Sequence, residues 1–391
     1  MTPGARIAAA AALLDEIAGG VPAEKALTGW ARRSRFAGSG DRAAIRDHVF
    51  DALRRWRSTA ALGGGTTGRA RMIGLLRSHG QDPAALFTGE GHAPAALTEA
   101  EASPPADLPA EALLDLPDWL LAPLRETLGP DFENTAEMLR HRAPVFLRVN
   151  TAKTDPDQVV AALSSDGISC RPHALCATAL EVTEGARRIG QSRAYLDGLV
   201  ELQDVASQSV TAELPLAEAG LVLDYCAGGG GKTLAMAARH RARYVAHDAH
   251  PQRLKDLPER ARRAGVSVEI ADRAALGRSA PFDLVLTDVP CSGSGAWRRS
   301  PEGKWALTPE ALQTLNATQD AILDAAVPLV APQGVLAYAT CSLLRAENRD
   351  RIEAFLARHP DWQVTYQRQY TPLDGGDGFF AAHLTRKTDA A

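Results

Sequence analysis

Two cysteines end hydrophobic runs of this chain, in contexts that suit nucleophilic chemistry. Cys291 lies in an Asp-x-Pro-Cys-Ser-Gly motif that begins at Asp288, and Cys341 lies in a Thr-Cys-Ser motif. A thiolate can add to C6 of a cytosine ring, and this addition turns C5 into a carbon that can attack a methyl group. A free cysteine has a pKa of about 8.5, so its surroundings must favour the thiolate. The chemistry also needs a partner for N3 of the base and a group that removes the C5 proton.

A glycine-rich turn after an apolar run is the third chemical landmark. A P-loop is disfavoured because Cys226 stands at its first glycine position, and neither glycine register fits a dinucleotide site. An S-adenosylmethionine site fits better, with Asp248 after the second predicted strand near the ribose and Asp272 after the third near the adenine. Each aspartate also suits an ordinary helix N-cap. The predicted cofactor-binding residues of the turn are Cys226, Ala227, Gly228, Gly229, Gly230, Gly231 and Lys232.

The elements that must position these groups alternate between strands and helices from about residue 220. The pattern predicts strands over 221–225, 244–247, 266–270, 284–287 and 335–339, and helices over 233–239, 251–264, 309–327 and 346–358. Such alternation is typical of a parallel, doubly wound sheet, with a final antiparallel strand over 377–385. Cys291 and Cys341 then follow neighbouring parallel strands. Both thiols, and Asp288, should open onto the crevice at the carboxyl edge of the sheet.

Other interpretations of the cysteines remain open at this point. A single cysteine after a strand is commonly a small buried hydrophobe, and Cys170 and Cys176 are interpreted in that way. A zinc site is disfavoured because no close Cys-x-x-Cys or histidine pairing occurs, so no metal is predicted. Five cysteines in 391 residues do not resemble a disulfide framework and indicate a reducing cytoplasm. No apolar run is long enough for a membrane span.

The region before residue 210 divides by pattern and charge. Residues 1–80 carry 13 Lys and Arg against 6 Asp and Glu, a net of +7, and are predicted to be helical, with Asp41 as the N-cap of a helix over 42–56. Residues 81–140 carry 2 against 12, a net of −10. The predicted domains are a helical domain over 1–87, a linker over 88–110, a small α/β subdomain over 111–212 and a doubly wound domain over 213–388. No feature requires an oligomer, so a monomer is predicted.

The chain resembles the Sun/Fmu/NOL-type RNA cytosine-C5 methyltransferases, in particular the bacterial ribosomal RNA enzymes. The resemblance rests on the two cysteine motifs and the glycine turn, which occur in family order with four further segments. These segments are 146–150, 203–208, 298–305 and 377–380. The resemblance implies a Rossmann-like class I methyltransferase domain of the α/β class, preceded by a small α/β subdomain and an all-α, NusB-like RNA-binding domain. Its glycine turn departs from the family pattern, since Gly228 and Gly229 stand where alanine and proline are usual.

The resemblance also implies roles for individual residues. Cys341 would attack C6, Cys291 would assist release of the methylated base, and Asp288 would contact the cytosine and the methyl end of S-adenosylmethionine. The turn from Cys226 to Lys232, with Asp248 and Asp272, would hold that cofactor. The residues expected to contact RNA or order the site are Arg148, Asn150 and Arg298.

The expected function is therefore S-adenosylmethionine-dependent formation of 5-methylcytosine in RNA by a cytoplasmic enzyme. Ribosomal RNA is the favoured substrate because of the NusB-like segment, and transfer RNA is the alternative. A second class of function is a non-catalytic RNA-binding assembly factor that retains the fold. A third is a P-loop NTPase, which would bind ATP in place of S-adenosylmethionine.

Overall fold

A computed structural model describes residues 1–103, 105 and 108–387 of the chain. Contacts divide the chain into two compact units. The first contains residues 1–142 and 297–306, and the second contains residues 143–296 and those from 307 onward. The predicted domain boundaries at 87, 110 and 212 stay predictions. Residues 104, 106 and 107 of the predicted linker, and residue 388 at the predicted end of the last domain, lie outside the described residues.

Helices and strands are numbered here along the chain. The α-helices are α1 (Pro3–Ala18), α2 (Ala23–Arg33), α3 (Ser39–Arg54), α4 (Trp56–Gly63), α5 (Gly68–Ser78), α6 (Glu99–Ala102), α7 (Asp118–Leu128), α8 (Phe132–Leu139), α9 (Pro156–Ser165), α10 (Arg193–Leu196), α11 (Val205–Ala212), α12 (Gly231–Arg239), α13 (Leu257–Ala264), α14 (Arg273–Ser279), α15 (Glu302–Ala306), α16 (Pro309–Ala326) and α17 (Arg349–Arg358). The strands are β1 (Val145–Val149), β2 (Ser169–Pro172), β3 (Ala179–Glu184), β4 (Val200–Leu202), β5 (Leu221–Asp224), β6 (Arg243–Ala246), β7 (Glu269–Ile270), β8 (Phe282–Asp288), β9 (Val330–Thr340), β10 (Trp362–Tyr370) and β11 (Phe379–Arg386).

Every regular element in the described part of the first unit is helical. Ile7 and Leu14 on α1 and Val49 on α3 are fully buried and belong to one apolar core, as helical spacing of apolar residues requires. The segment 297–306 belongs to this unit, and the indole N–H of Trp305 donates to the carbonyl of Leu53 at 2.7 Å. The predicted N-cap of α3 is wrong. Asp41 is the third residue of that helix, and its carboxylate accepts the N–H of Gly38 from within the first turn.

The second unit is built on a seven-stranded sheet of order β10-β11-β9-β8-β5-β6-β7. All pairs formed among the five strands β5 to β9 are parallel, whereas β11 pairs antiparallel with both β9 and β10. Apolar side chains cover both faces of this sheet in two buried clusters. The chain order reverses between β5 and β8, which is the position where doubly wound sheets open a ligand crevice at their carboxyl edge. The α/β Rossmann-like fold predicted from the sequence is confirmed.

A four-stranded antiparallel sheet of order β2-β3-β1-β4 forms the rest of this unit. Strand β1 is one of the two inner strands of this sheet. Leu147 on β1 and Leu163 on α9 are fully buried in the core between sheet and helix. No helix in the described part of the chain is long and apolar enough to cross a membrane.

Candidate active site

The glycine turn joins β5 to α12 and requires left-handed backbone at two positions. Gly228 has φ +52° and Gly230 has φ +78°, in a region that favours glycine over residues with a side chain. A Cβ on Gly230 would also lie 2.2 Å from Cδ1 of Leu257. Glycine is therefore required for backbone conformation and for space at this position. The turn brings the backbone amides at the start of α12 to the carboxyl edge of the sheet.

Asp248 ties this turn to the strand beside it. The side chain is buried, and its carboxylate accepts the N–H of Gly228 at 2.9 Å and the N–H of His250 at 2.8 Å. A guanidinium nitrogen of Arg253 lies 3.4 Å from the same carboxylate. Asp248 is therefore a fixed acceptor, held in place by two backbone amides and one cation.

Asp272 has a different setting from Asp248. It is exposed and caps α14, since its carboxylate accepts the N–H of Ala275 at 2.8 Å. Asp272 is therefore a helix N-cap, which is one of the two interpretations that the sequence left open. Asp272 nevertheless lines the same cavity of about 640 Å³ as Asp248, between Tyr225 and the apolar side chain of Ile322. The lining of this cavity combines carboxylate acceptors with apolar side chains, which suits a nucleoside.

Lys232 and Asp288 form an ion pair in front of the sheet. The Nζ of Lys232 donates to Oδ2 of Asp288 at 2.6 Å and lies 5.0 Å from the ring centre of Phe379. Burial lowers the pKa of Lys232, but the charge and hydrogen bond of Asp288 outweigh burial, and the net pKa lies above its usual value. Behind the pair, burial raises the pKa of Asp224 to about 7, although Thr233 donates a hydrogen bond to that carboxyl group. Lys232 is therefore a cation at neutral pH, and Asp288 is its partner.

The two cysteine motifs meet at the ends of β8 and β9. These strands are parallel neighbours, with Asp288 opposite Ala339, and Cys341 Sγ lies 3.4 Å from Cys291 Sγ. Both cysteines are free. The hydrogen bond with Cys341 raises the pKa of Cys291 well above its usual value, and burial and the nearby charge of Glu347 add to the increase. Cys291 therefore keeps its proton and can donate it in a hydrogen bond to the sulfur of Cys341.

One cavity of about 490 Å³ contains all three predicted catalytic residues. Its wall combines the glycine turn, the ion pair and both thiols. The residues that line it are Gln203, Ser207, Cys226, Ala227, Gly228, Gly229, Gly231, Lys232, Arg253, Asp288, Val289, Pro290, Cys291 and Cys341. Gly230, which was also predicted to bind the cofactor, lies in the same turn but does not line this cavity. The arrangement places two thiols and a carboxylate beside a turn suited to a nucleoside ligand.

Comparison with known proteins assigns the chain to a family. The family described as "16S rRNA methyltransferase RsmB/F" matches residues 211–385, and its ferredoxin-like domain matches residues 116–187. Ribosomal RNA small subunit methyltransferase B of Citrobacter koseri is 33% identical over 294 residues, which cover 71% of this chain and 68% of that protein. The chain belongs to the RsmB/F methyltransferase family. The resemblance stated from the sequence motifs is confirmed.

Two further comparisons define how far this similarity extends. Ribosomal RNA small subunit methyltransferase B of Erwinia tasmaniensis is 33% identical over 285 residues, which cover 69% of this chain but only 66% of that protein. The crystal structure of PH0851 superimposes with a TM-score of 0.76 over 99% of both chains at 22% identity, and this likeness concerns the fold alone. The chain therefore spans slightly less than two thirds of the Erwinia relative.

S-adenosylmethionine is the predicted cofactor, and the match to the RsmB/F methyltransferase family supports it. The residues present fit that group. The cavity beside Asp248 and Asp272 has the polar acceptors and apolar wall that a ribose and an adenine need, and the glycine turn leaves its backbone open. Cys226 lines both cavities, so they are adjacent. The assignment of individual residues to cofactor atoms stays a proposal.

Substitution of Asp248 by alanine is expected to weaken binding of S-adenosylmethionine about 30-fold, or about 2 kcal/mol, because hydrogen bonds to a charged group have this value. The variant loses the acceptor of the Gly228 and His250 amides and the proposed acceptor of the ribose hydroxyls. Isothermal titration calorimetry measures the affinity. Asp256→Ala is the matched control, since Asp256 is exposed and makes no capping hydrogen bond. Equal affinities for the two variants would contradict the proposed role of Asp248.

The three residues predicted to contact RNA or order the site are all buried, with exposed fractions of 5% for Arg148, 5% for Asn150 and 1% for Arg298. The side-chain amide of Asn150 donates to the carbonyls of Gly198 and Ala264, both at 2.9 Å. Burial lowers the pKa of Arg148 to about 10. Arg298 lies in the first unit. These positions favour an ordering role over direct contact with RNA.

Three side chains of this region had no role predicted from the sequence. Gln203 and Ser207 line the cavity that contains both thiols, and the side-chain amide of Gln203 donates to the hydroxyl of Ser207 at 3.1 Å. They occur in the segment 203–208 that carries part of the family resemblance, which was their available signal. Glu347 is fully buried behind the cysteines, and no sequence pattern singled it out. Among the described residues, no group of three or more His, Cys, Asp and Glu side chains could hold a metal ion.

Proposed function

We propose that this protein transfers a methyl group from S-adenosylmethionine to C5 of a cytosine in RNA through a covalent adduct between Cys341 and C6. The observation that carries the proposal is the contact between the two thiols, 3.4 Å apart in a cavity that also holds Asp288 and Lys232. One thiol suffices to form an adduct on the base. A second thiol in contact with the first suits an enzyme that must also break that adduct.

The proposed first step is addition of the Cys341 thiolate to C6 of the cytosine. The S–C6 bond forms as the C5–C6 π electrons shift into the C4–C5 bond and the C4–N3 π electrons move onto N3. C5 thereby becomes the electron-rich carbon of an enamine. S-adenosylmethionine, when bound, supplies a methyl group on a positively charged sulfur; an electron-rich carbon can attack this methyl group, and the sulfur leaves as a neutral thioether. Because Cys341 must approach the face of the ring, the target base has to be unstacked or single-stranded.

Asp288 and Lys232 are proposed to orient the base and the reacting groups. The carboxylate of Asp288 can accept a hydrogen bond from the exocyclic amino group of cytosine, which uracil lacks. The ion pair with Lys232, at 2.6 Å, fixes the direction of that carboxylate. Asp288 would then select cytosine and hold it against Cys341, since both residues line one cavity.

Release of the product is proposed to depend on Cys291. After methyl transfer, C5 loses its proton to a base, the C5–C6 double bond re-forms, and Cys341 leaves as a thiolate. Cys291 retains its proton and lies 3.4 Å from the departing sulfur, so its S–H group can stabilise the charge that develops there. The two thiols therefore have different tasks, with Cys341 as nucleophile and Cys291 as hydrogen-bond donor to the leaving group.

Ribosomal RNA of the small subunit is the proposed substrate, because the family description and the curated relatives name that RNA. Bisulfite sequencing of total RNA from cells with and without the gene tests this assignment. A cytosine in small-subunit ribosomal RNA should resist conversion only in cells that contain the gene. A protected cytosine found only in transfer RNA would make transfer RNA the substrate in place of ribosomal RNA. The absence of any gene-dependent protected cytosine would argue against 5-methylcytosine as the product.

A further inference from the structure

Glu347 is a carboxylate with no exposed surface, located between the two cysteine loops. It ends the short 3₁₀ turn Arg345–Glu347 that follows Cys341. Its Oε1 accepts the backbone N–H of Ser292 at 2.7 Å and the side-chain amide of Gln319 at 3.1 Å. Its Oε2 accepts the hydroxyls of Ser292 and Ser342, both at 2.5 Å. A buried charge is tolerated when it is fully hydrogen-bonded, and these four donors meet that condition.

The four hydrogen bonds connect the segments that carry the thiols. Ser292 directly follows Cys291, and Ser342 directly follows Cys341. The loops are also joined by the hydroxyls of Ser294 and Ser342, 3.0 Å apart, and by the N–H of Gly295, which donates to the carbonyl of Cys341 at 3.0 Å. Among these connections, only the carboxylate of Glu347 holds the residue next to each cysteine at once. Glu347 therefore bridges the two loops directly beside the residues that carry the sulfur atoms.

We propose that Glu347 is a positioning residue that holds the Cys291 and Cys341 loops at the separation their thiols need to act in sequence on one cytosine. The catalytic part of this inference rests on the proposed function, whereas the positioning of the two thiols does not depend on it. Glu347 lines neither of the two cavities described above, so it acts through Ser292 and Ser342. Loss of its hydrogen bonds should separate the thiols without changing the cofactor site.

Two substitutions separate the geometry of this network from its charge. In Glu347→Gln, the amide oxygen can still accept from the Ser292 N–H and from Gln319, and the amide NH₂ can donate to both serine hydroxyls after they rotate. Glu347→Ala removes all four contacts and leaves buried donors without partners. Because Glu347→Ala can also impair folding, the double variant Ser292→Ala/Ser342→Ala is a second test that keeps the carboxylate. It removes both Oε2 contacts, together with the contact between the Ser294 and Ser342 hydroxyls and the acceptors of the Ser294 and Leu344 N–H groups.

The direct measurement is the rate at which diamide joins Cys291 to Cys341. The two thiols lose two protons and two electrons as the disulfide forms, and diamide takes them up to become a hydrazine. Mass spectrometry of the peptides, after alkylation of the remaining thiols, gives the rate without RNA or cofactor. The wild-type protein is expected to react quickly, and Glu347→Gln at least as quickly, because loss of the charge that raises the pKa of Cys291 favours the thiolate. Glu347→Ala and the double serine variant are expected to react several-fold more slowly, because their thiols no longer lie in contact.

Ser209→Ala is the matched control, since Ser209 is buried in the same unit and its hydroxyl hydrogen-bonds to Leu175 and Val205 away from the cysteines. This control should keep the wild-type rate. Methyl transfer by Glu347→Ala should fall about 100-fold, because a displacement of about 1 Å has such an effect, with recovery in Glu347→Gln. Affinity for S-adenosylmethionine should be the same in every variant.

The outcomes separate the positioning role from the proposed function. Wild-type disulfide rates in folded Glu347→Ala, or in the double serine variant if Glu347→Ala does not fold, would overturn the positioning role whatever the RNA activity. A slow rate in Glu347→Gln would overturn it as well, because that variant keeps the hydrogen bonds. If the disulfide rates follow the expected order but the wild-type protein makes no 5-methylcytosine, the positioning role stands and the proposed function fails.

Discussion

Replacement of Cys341 by alanine is expected to lower methyl transfer by at least about 10⁴-fold, the range that follows loss of a catalytic nucleophile in other enzymes. Without the Cys341 sulfur no adduct can form at C6, and C5 of cytosine stays too weak a nucleophile to react. Cys341 makes none of the hydrogen bonds that hold Asp248 and the glycine turn, so S-adenosylmethionine is expected to bind as in the wild type. Transfer of labelled methyl groups to RNA and calorimetric titration with the cofactor measure the two effects.

The control for this experiment is a cysteine outside the cavity. Cys170 is half-buried on the edge strand β2, and burial raises the pKa of its thiol. Cys170→Ala should therefore keep wild-type turnover and affinity. Normal turnover in Cys341→Ala would rule out the nucleophilic role of Cys341. Loss of cofactor binding in that variant would instead show that its inactivity has another cause.

Replacement of Cys291 by alanine is expected to cause accumulation of a covalent complex between protein and RNA, whereas replacement of Cys341 prevents its formation. Cys341 can still add to C6 in this variant, but its departure loses the S–H donor 3.4 Å away. The adduct should then persist through denaturing gel electrophoresis as a slow-migrating band that ribonuclease removes. The wild-type protein should show little of this band under the same conditions, because it completes the release.

The double variant Cys291→Ala/Cys341→Ala is the control, since it lacks the sulfur that forms the bond and should give no band. A band in the double variant would mean that the complex does not involve Cys341. The absence of a band in Cys291→Ala, with methyl transfer preserved, would remove the role of Cys291 in release. Cys291→Ser should give an intermediate amount of adduct, because a hydroxyl can still donate a hydrogen bond to the leaving sulfur.

The sequence predicted the parallel part of the sheet well because its strands are buried on both faces. The run expected over 284–287 lies in β8, which has 7 residues, and the run over 335–339 lies in β9, which has 11 and is more than twice as long as expected. Buried parallel strands are continuous apolar runs, and such runs are visible without a structure. The placement of Cys291 and Cys341 at one edge followed from the same reasoning, since the carboxyl ends of neighbouring parallel strands share that edge. The direct contact of their sulfur atoms was not predicted.

The edges of the sheet were less predictable. The strand expected over 266–270 is only Glu269–Ile270, and both residues are exposed at the sheet edge. The other edge strand, β10, was not expected at all. Its residues alternate between polar and apolar side chains with one register shift against β11, and this half-exposed pattern differs little from that of a loop. The antiparallel strand expected over 377–385 is β11, which begins two residues later.

The role of Glu347 could not be found from the sequence for a different reason. Its hydrogen-bond partners are Ser292, 55 residues away, Gln319, 28 residues away, and Ser342, five residues away. No local pattern joins these positions, and the relation appears only when the loops after β8 and β9 meet α16. A glutamate a few residues after a cysteine forms no distinctive sequence motif. The burial of Glu347 and its four hydrogen-bond donors are properties of the folded chain only.

Nucleoside analysis of RNA methylated in vitro tests the central claim most directly. The purified protein is incubated with small-subunit ribosomal RNA and S-adenosylmethionine carrying a labelled methyl group, and the digested RNA is analysed by mass spectrometry. The label is expected in 5-methylcytidine with the wild-type protein and nowhere with Cys341→Ala. Label in a different nucleoside, or equal amounts of labelled 5-methylcytidine from the two proteins, would contradict a cytosine-C5 reaction through Cys341.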